Sequence, residues 1–259
     1  MKTWLISITT GAALALVACV TVEETQRRRL APLPDSYMNQ VGLAAYTDLR
    51  NKEAIDRSAR DNDAMLAVAK RIASATNKKF DWEFTLFASK EVNAFCLPGG
   101  KVGVYTGILP VAKTNAGLAA VLGHEIGHAV ARHSGERLSQ QLLIEGALLS
   151  VNALMGDSER RPLVMAALGL GAKFGVVLPF SRTQEAEADS MGIVYMARAG
   201  YDPSEAIALW QRMAKLGGTS PEFLSTHPDP ARRAAALSAE LPKAMLEYNR
   251  SQKVPTKLL

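Results

Sequence analysis

Leu122-Gly123-His124-Glu125-Ile126-Gly127-His128-Ala129-Val130 is the stretch from which the rest of the chain is read. Its pattern is HExxH. In a helix with about 3.6 residues per turn, residues four apart lie about 40° apart around the axis, so the imidazoles of His124 and His128 project from one face. Two neutral imidazoles that close suit a zinc ion. Glu125 lies about 100° further round, which puts its carboxylate beside such an ion rather than on it, in reach of a metal-bound water. That is a general base's position. A helix is expected here: Ala116 to Leu122 leads in with mostly good helix formers, Ala129 to Arg132 continues the run, and Thr114 or Asn115 supplies an N-cap.

A catalytic zinc ion takes three protein ligands and leaves one position open, so a third ligand must come from elsewhere in the chain. The extended pattern with a third histidine ten residues after His124 is excluded, because Ser134 stands there and Gly is absent at 131. His133, five residues past His128, falls on another face and reads as a surface or helix-end histidine. Glu185 is the better candidate. It forms a helical pair with Asp189, whose four-residue spacing puts both carboxylates on one face. Glu185 would bind the metal while Asp189 accepts a hydrogen bond from a ligand imidazole. Without further information, a solvated acidic face is the plainer account of that spacing. Glu187 points elsewhere on the same helix.

With 259 residues, 48% of them hydrophobic and 21% charged, the chain has room for one substantial domain plus extensions. The net charge of +5 is spread along the sequence, and nothing resembles a nucleic-acid motif, so no nucleic acid is expected as a partner. Residues 1–18 read as an export signal: Lys2 is the positive start, and Trp4 to Ala18 is apolar but too short to span a bilayer comfortably. Leu16-Val17-Ala18-Cys19 resembles the lipobox of bacterial lipoproteins, which implies lipidation at Cys19 and a periplasmic, membrane-anchored chain. Val20 stands where inner-membrane retention would place an aspartate, so the outer membrane is favoured. Cys96 then has no intrachain partner and is a small apolar residue.

Residues 19–45, polar and punctuated by Pro32 and Pro34, are expected to form a lipid-anchored tether, 46–250 the domain and 251–259 a C-terminal tail. One or two helices are expected from Tyr46 to Ala75. Asp81 to Phe87 alternates as a strand, Cys96 to Gly100 reads as a turn, and Lys101 to Leu109 as a second strand. Together they predict a small antiparallel sheet beside the HExxH helix, with 101–109 as an edge strand pairing with substrate backbone through Val102, Val104 and Tyr105. Gly156 to Pro162 is a loop, and Leu163 to Pro179 a core helix or mobile lid. Further helices are expected from Arg182 to near Gly200, from Pro203 to about Leu216 ended by Gly217-Gly218, and from Ala231 to about Glu240. Pro242 ends or kinks the last before a short run at 244–248. The fold class is α+β, mainly α-helical.

Four segments resemble the HtpX-like and Oma-like zinc metallopeptidases, most closely their periplasmic lipoprotein branch. They are Val92-Asn93-Ala94-Phe95 with Pro98-Gly99-Gly100 and Val104-Tyr105-Thr106-Gly107; His124 to His128; Ser181-Arg182, Glu185, Ala188-Asp189 and Gly192; and Ser225-Thr226-His227-Pro228 with Arg233. They occur in the family's order over roughly residues 60 to 240. The resemblance implies a zincin-type (gluzincin) domain and a zinc endopeptidase with one ion per chain, held by His124, His128 and Glu185. It implies Glu125 as general base, Asp189 as the carboxylate behind the ligands, and Asn93 beside the substrate. His227 and Arg233 match catalytic residues facing the metal cleft, and either would steady the oxyanion beside the zinc ion; in some members the histidine instead occupies the metal's open site and holds the enzyme latent. Expected substrates are unfolded or misassembled envelope proteins. The alternative is a chaperone-like outer-membrane assembly factor with latent protease activity.

Overall fold

The computed structural model describes residues 19–30, 33–145, 155–170, 178–216 and 222–259. The expected signal at 1–18, residues 171–177 of the core helix or lid expected over 163–179, and the Gly217-Gly218 stop lie outside these. The chain runs β1 (Cys19–Thr21), β2 (Arg28–Leu30), α1 (Asp35–Lys52), α2 (Ala59–Ala75), β3 (Glu83–Phe87), β4 (Ala94–Leu97), β5 (Lys101–Tyr105), a 3-10 turn (Thr106–Ile108), α3 (Leu109–Ala112) and α4 (Asn115–Val130). It continues with α5 (His133–Glu145), α6 (Arg161–Ala167), α7 (Arg182–Arg198), α8 (Ser204–Met213), α9 (Glu222–Thr226) and α10 (Pro230–Arg250). Among the described residues, no helix is long and apolar enough to cross a membrane.

The HExxH helix α4 is the axis of the domain. It is apolar almost all round and buried at every residue from Ala116 to Val130, which is what a helix without a polar face requires. Thr114 caps it, its Oγ1 accepting from the Gly117 N–H at 2.9 Å. Helices α2, α7 and α8 and strand β4 pack around it. The closest of these is α7. A Cβ on Gly123 would stand 2.7 Å from the Gly192 carbonyl oxygen, and one on Gly127 would stand 2.9 Å from that of Ala188. Glycine at 123, 127 and 192 therefore lets the two backbones touch. The C-terminal residues do not trail free: Asn115 N–H donates to the Lys257 carbonyl at 3.0 Å and Leu259 N–H to that of Lys113 at 3.0 Å, pinning the tail to the start of α4.

The sheet differs from the expected antiparallel one. Its order is β3-β5-β4, with β3 parallel to β5 and β4 antiparallel to it. Cys96 and Leu97 belong to β4, and the turn is only Pro98-Gly99-Gly100, with both glycines at positive φ. Strand β5 is central, so it is not the expected edge. The error has a physical cause. A central strand covered on both faces reads as a continuous apolar run, and here Val102 and Val104 join the core around α4 while Tyr105 joins Phe87 and Phe95 in a second core beneath α1.

The stretch expected as a tether is also structured. Strands β1 and β2 form an antiparallel hairpin, and α1 begins right after Pro34. Met38, Val41, Ala45, Tyr46 and Leu49 recur at helical spacing and are buried, and burying each large apolar side chain stabilises by about 1.5–3 kcal/mol. Pro34 marks the start of a helix rather than a linker. At the other end, α10 runs through Pro242 without ending. The proline is exposed, while Leu237 and Ala244 on either side of it stay buried, so packing of that face offsets the lost backbone hydrogen bond.

Candidate metal centre

Four ligand atoms, from His124, His128, Glu185 and His227, lie within 4.8 Å of one another, and all four side chains are buried. His124 and His128 come from one face of α4, as the helical period requires, with their Nε2 atoms 3.0 Å apart. Glu185 reaches them from α7, Oε1 lying 3.3 Å from His128 Nε2 and Oε2 3.6 Å from His124 Nε2. Donors bound to one tetrahedral zinc at about 2.05 Å stand roughly 3.3 Å apart, so this spacing fits a single ion. Glu125 Oε1 is buried and, among the described residues, accepts no hydrogen bond, a costly condition that a water held beside a cation would relieve. The donor set fits zinc.

Helix α7 owes its start to a capping box: Ser181 Oγ accepts from the Gln184 N–H at 3.2 Å, and Gln184 Oε1 accepts from the Ser181 N–H at 3.1 Å. Four residues on, the glycine-lined crossing brings Glu185 and Asp189 against α4. Asp189 Oδ1 is 3.0 Å from His124 Nδ1, placed to accept its N–H and leave Nε2 for a metal. Arg233, from α10, spans both acids: Nε donates to Asp189 Oδ2 at 2.8 Å and Nη1 lies 2.6 Å from Glu185 Oε2. Its guanidinium also lies over the Trp210 ring, 3.3 Å from the centroid. Arg233 thus faces the metal centre as expected of its position, held by two carboxylates, with Nη2 also 2.7 Å from His124 Nδ1.

The electrostatics follow from burial. Burial, helped by Arg233, holds His124 far below the ordinary imidazole range, and burial with His124 beside it does the same to His128. Both stay neutral, as ligands must. Burial would raise Glu185, but Arg233 and His227 beside it outweigh burial and keep it ionised. Glu125 is pushed up to about 7, chiefly by burial. Burial, with the Glu125 charge adding to it, also pushes the Cys96 thiol well up on β4, the strand that packs against α4.

The chain's sequence alone left three features of this centre unseen. His133, expected at the surface or at a helix end, does stand at a helix end, the start of α5, but is fully buried, with Nδ1 2.7 Å from His128 Nδ1 and Nε2 2.9 Å from Glu187 Oε2. Arg132 at φ 60° turns the chain so that α5 begins by folding back onto α4. Glu187 does point away from Glu185, but into this buried network and not into solvent. Finally, an aromatic wall of Phe180, Trp210 and Phe223 surrounds the imidazoles, with Phe180 4.0 Å from the His128 ring centroid. No local pattern announces any of these, since each arises from segments far apart in the chain.

Residues 58–241 match the model of peptidase family M48. The chain belongs to that family. Among curated relatives, it is 37% identical over 188 residues to the mitochondrial metalloendopeptidase OMA1 of Schizosaccharomyces pombe, covering 71% of this chain and 54% of that one. It is 39% identical over 174 residues to that of Arabidopsis thaliana, covering 66% and 34%. Over 172 residues it is 29% identical to the β-barrel assembly-enhancing protease of Escherichia coli K12, covering 63% and 35%. This M48 chain spans about half or less of the length of these relatives.

Proposed function

We propose that this M48 chain is a zinc-dependent endopeptidase that cuts unfolded or misassembled proteins of the bacterial envelope. The observation that carries it is the convergence of His124, His128 and Glu185 on one buried point beside an unpartnered Glu125 carboxylate. A bound zinc ion would supply Lewis acidity at the scissile carbonyl and activate a water there. Glu125, poised near neutrality, takes the water's proton and returns it to the leaving amine. Arg233 and Asp189 hold Glu185 and His124 in place, and His227, whose Nε2 is 3.5 Å from Glu125 Oε1, is the group positioned to donate to the oxyanion.

Substrate backbone would lie beside β4, because the outer edge of β3 is already taken by residues 54–56, Asp56 N–H donating to the Leu86 carbonyl at 2.9 Å and Ala88 N–H to the Ala54 carbonyl at 2.8 Å. Among the described residues, β4 pairs only with β5, and Tyr105 N–H donates to the Asn93 carbonyl at 3.1 Å. The alternation of an antiparallel ladder then turns the backbone groups of Ala94 and Cys96 to the other edge. The Ala94 N–H is held by Asn93 Oδ1 at 2.9 Å, and Asn93 Nδ2 is buried without a partner. On this reading Asn93 lies beside substrate, whereas Val102, Val104 and Tyr105, on the central strand, support β4 from within. Backbone pairing tolerates many side chains, which suits unfolded substrates.

Metal content of wild type beside Glu185→Ala, with cleavage of an unfolded protein with and without chelator, tests this reading. One zinc per chain, lost in the variant and needed for cleavage, supports it; a wild type without zinc sinks it. A second reading, a chaperone-like assembly factor with latent protease activity, draws on one observation. His227 Nδ1 lies 3.1 Å from His124 Nε2 and 3.0 Å from Glu185 Oε1, where a fourth ligand would sit. His227→Ala separates the two: cleavage rises if the ring blocks the metal and falls if it serves the oxyanion.

The export signal, with lipidation at Cys19 and anchoring to the outer membrane, is part of the same proposal. It rests on Lys2, the apolar run to Ala18 and the lipobox-like Leu16 to Cys19. Incorporation of labelled fatty acid that persists in Cys19→Ser would sink it.

A further inference from the structure

Outside the ligands themselves, one buried polar chain runs from the metal centre to the N-terminal hairpin. His128 presents Nε2 to the other donors, so its proton is on Nδ1. Among the described residues, the polar atom it meets there is His133 Nδ1 at 2.7 Å, and two facing ring nitrogens can bond only if one donates and the other accepts. His133 Nδ1 therefore accepts, its proton is on Nε2, and Nε2–H donates to Glu187 Oε2 at 2.9 Å. Glu187 is held in turn from outside the catalytic helices: Thr25 Oγ1 donates to Oε1, and Arg27 Nε donates to Oε2. The far side of Arg27 forks onto Glu136, with Nη1 at 3.3 Å from Oε1 and Nη2 at 2.9 Å from Oε2, and Glu136 also accepts from Gln184 Nε2 at 3.1 Å.

We propose that His133 and Glu187 are positioning residues for the His128 ligand, and that Thr25 and Arg27 of the N-terminal hairpin complete the support of the metal site. The inference rests on the zinc reading above, but on the binding of the ion rather than on cleavage. His124 is oriented by Asp189 from α7, and His128 by His133 from α5. Both ligand imidazoles thus end on a carboxylate of α7, one directly and one through a second ring. The difference is that the second relay is closed by a segment more than 150 residues away in sequence. Residues 25 and 27 belong to the metal centre although they resemble a linker and fall outside the stretch that matches the family. Removing an oriented group behind a ligand typically costs 10–100-fold in metal affinity or activity.

The test compares purified wild type with His133→Phe, His133→Gln and Arg27→Met, each checked for native circular dichroism. Two readouts are used: the rate at which zinc passes to an excess of chromogenic chelator, and the visible spectrum of the cobalt-substituted protein. His133→Phe keeps the ring's bulk beside Phe180 and loses both nitrogens; zinc release about 10–100-fold faster, with an altered cobalt spectrum, is expected. His133→Gln, which can still accept and donate, should restore part of the loss. Arg27→Met should release zinc faster than wild type by a smaller factor. A packing role would instead leave Phe better tolerated than Gln. Folded His133→Phe with wild-type release and spectrum overturns the proposal. Should His133→Phe fail to fold, Arg27→Met decides it, faster release supporting and unchanged release overturning it. Zinc held by a wild type that cleaves nothing would sink the peptidase reading and leave this one standing; a wild type without zinc would sink both.

Discussion

The α4–α7 crossing and the three-stranded sheet both flank the cleft, yet they hold their parts by opposite means. At the crossing, backbone meets backbone, so the distance between ligands on two helices is set with no side chain to give way. In the sheet, backbone hydrogen bonds fix the register, and aromatic side chains fill the space behind it, Phe87 and Tyr105 with ring centroids 5.3 Å apart. The lesson is a division of labour. Changes at the crossing should strike metal and fold together, whereas changes in the sheet should strike substrate or stability and leave the metal alone.

The largest effect is expected from Gly192→Leu, whose Cβ alone would stand 2.8 Å from the Gly123 carbonyl carbon and the His124 nitrogen. Overpacking against backbone costs about 1–3 kcal/mol or more, and here it also parts Glu185 from the histidines. Loss of stoichiometric zinc, read by metal analysis, should accompany a lower melting temperature; a variant that melts lower but keeps its zinc would break the link between crossing and metal. Next comes Glu125→Gln, which keeps the crossing and removes the base. Turnover should fall by about 10²–10⁴-fold with zinc retained, and normal turnover would remove Glu125 from its assigned role.

A smaller effect, confined to binding, is expected at the sheet's outer edge. Asn93→Ala frees the Ala94 N–H and removes the buried Nδ2, so KM should rise about 2–10-fold with zinc unchanged, the range of one hydrogen bond. An unchanged KM would argue against β4 as the substrate strand. The smallest catalytic effect belongs to Val102→Ala on the central strand. It should cost about 2 kcal/mol of stability by denaturant melt and leave KM and zinc as they were. A KM change there comparable to that of Asn93→Ala would return the substrate edge to β5.

The two regions also differ in how far they can be read from sequence. HExxH places two histidines on one face because a helix has a fixed period, and Glu185 with Asp189 obeys the same rule, so ligand candidates on helices were legible. The sheet was not. The pairing partner of Lys101 to Tyr105 is not written in its own alternation, and a strand buried on both faces conceals which of its neighbours is the edge. His133 was misplaced for a related reason: spacing along α4 says nothing once Arg132 turns the chain back. Residues 19–45 looked polar enough to be a tether because Thr25 and Arg27 are satisfied by Glu187 and Glu136, partners more than 100 residues away.

By itself the sequence determined the helical elements around α4 and the spacing of His124, Glu125 and His128, and it put Glu185 and Asp189 on one helix face as candidates that only the family resemblance raised above a solvated face. These are properties of local period and chemistry. Tertiary structure alone decided that β4 is the strand beside the cleft, that Arg233 clamps the two acids, and that the N-terminal hairpin reaches the metal ligands through Glu187 and His133. Those facts depend on which distant segments come within hydrogen-bonding distance, and that is settled only when the glycine-lined helices and the two cores pack.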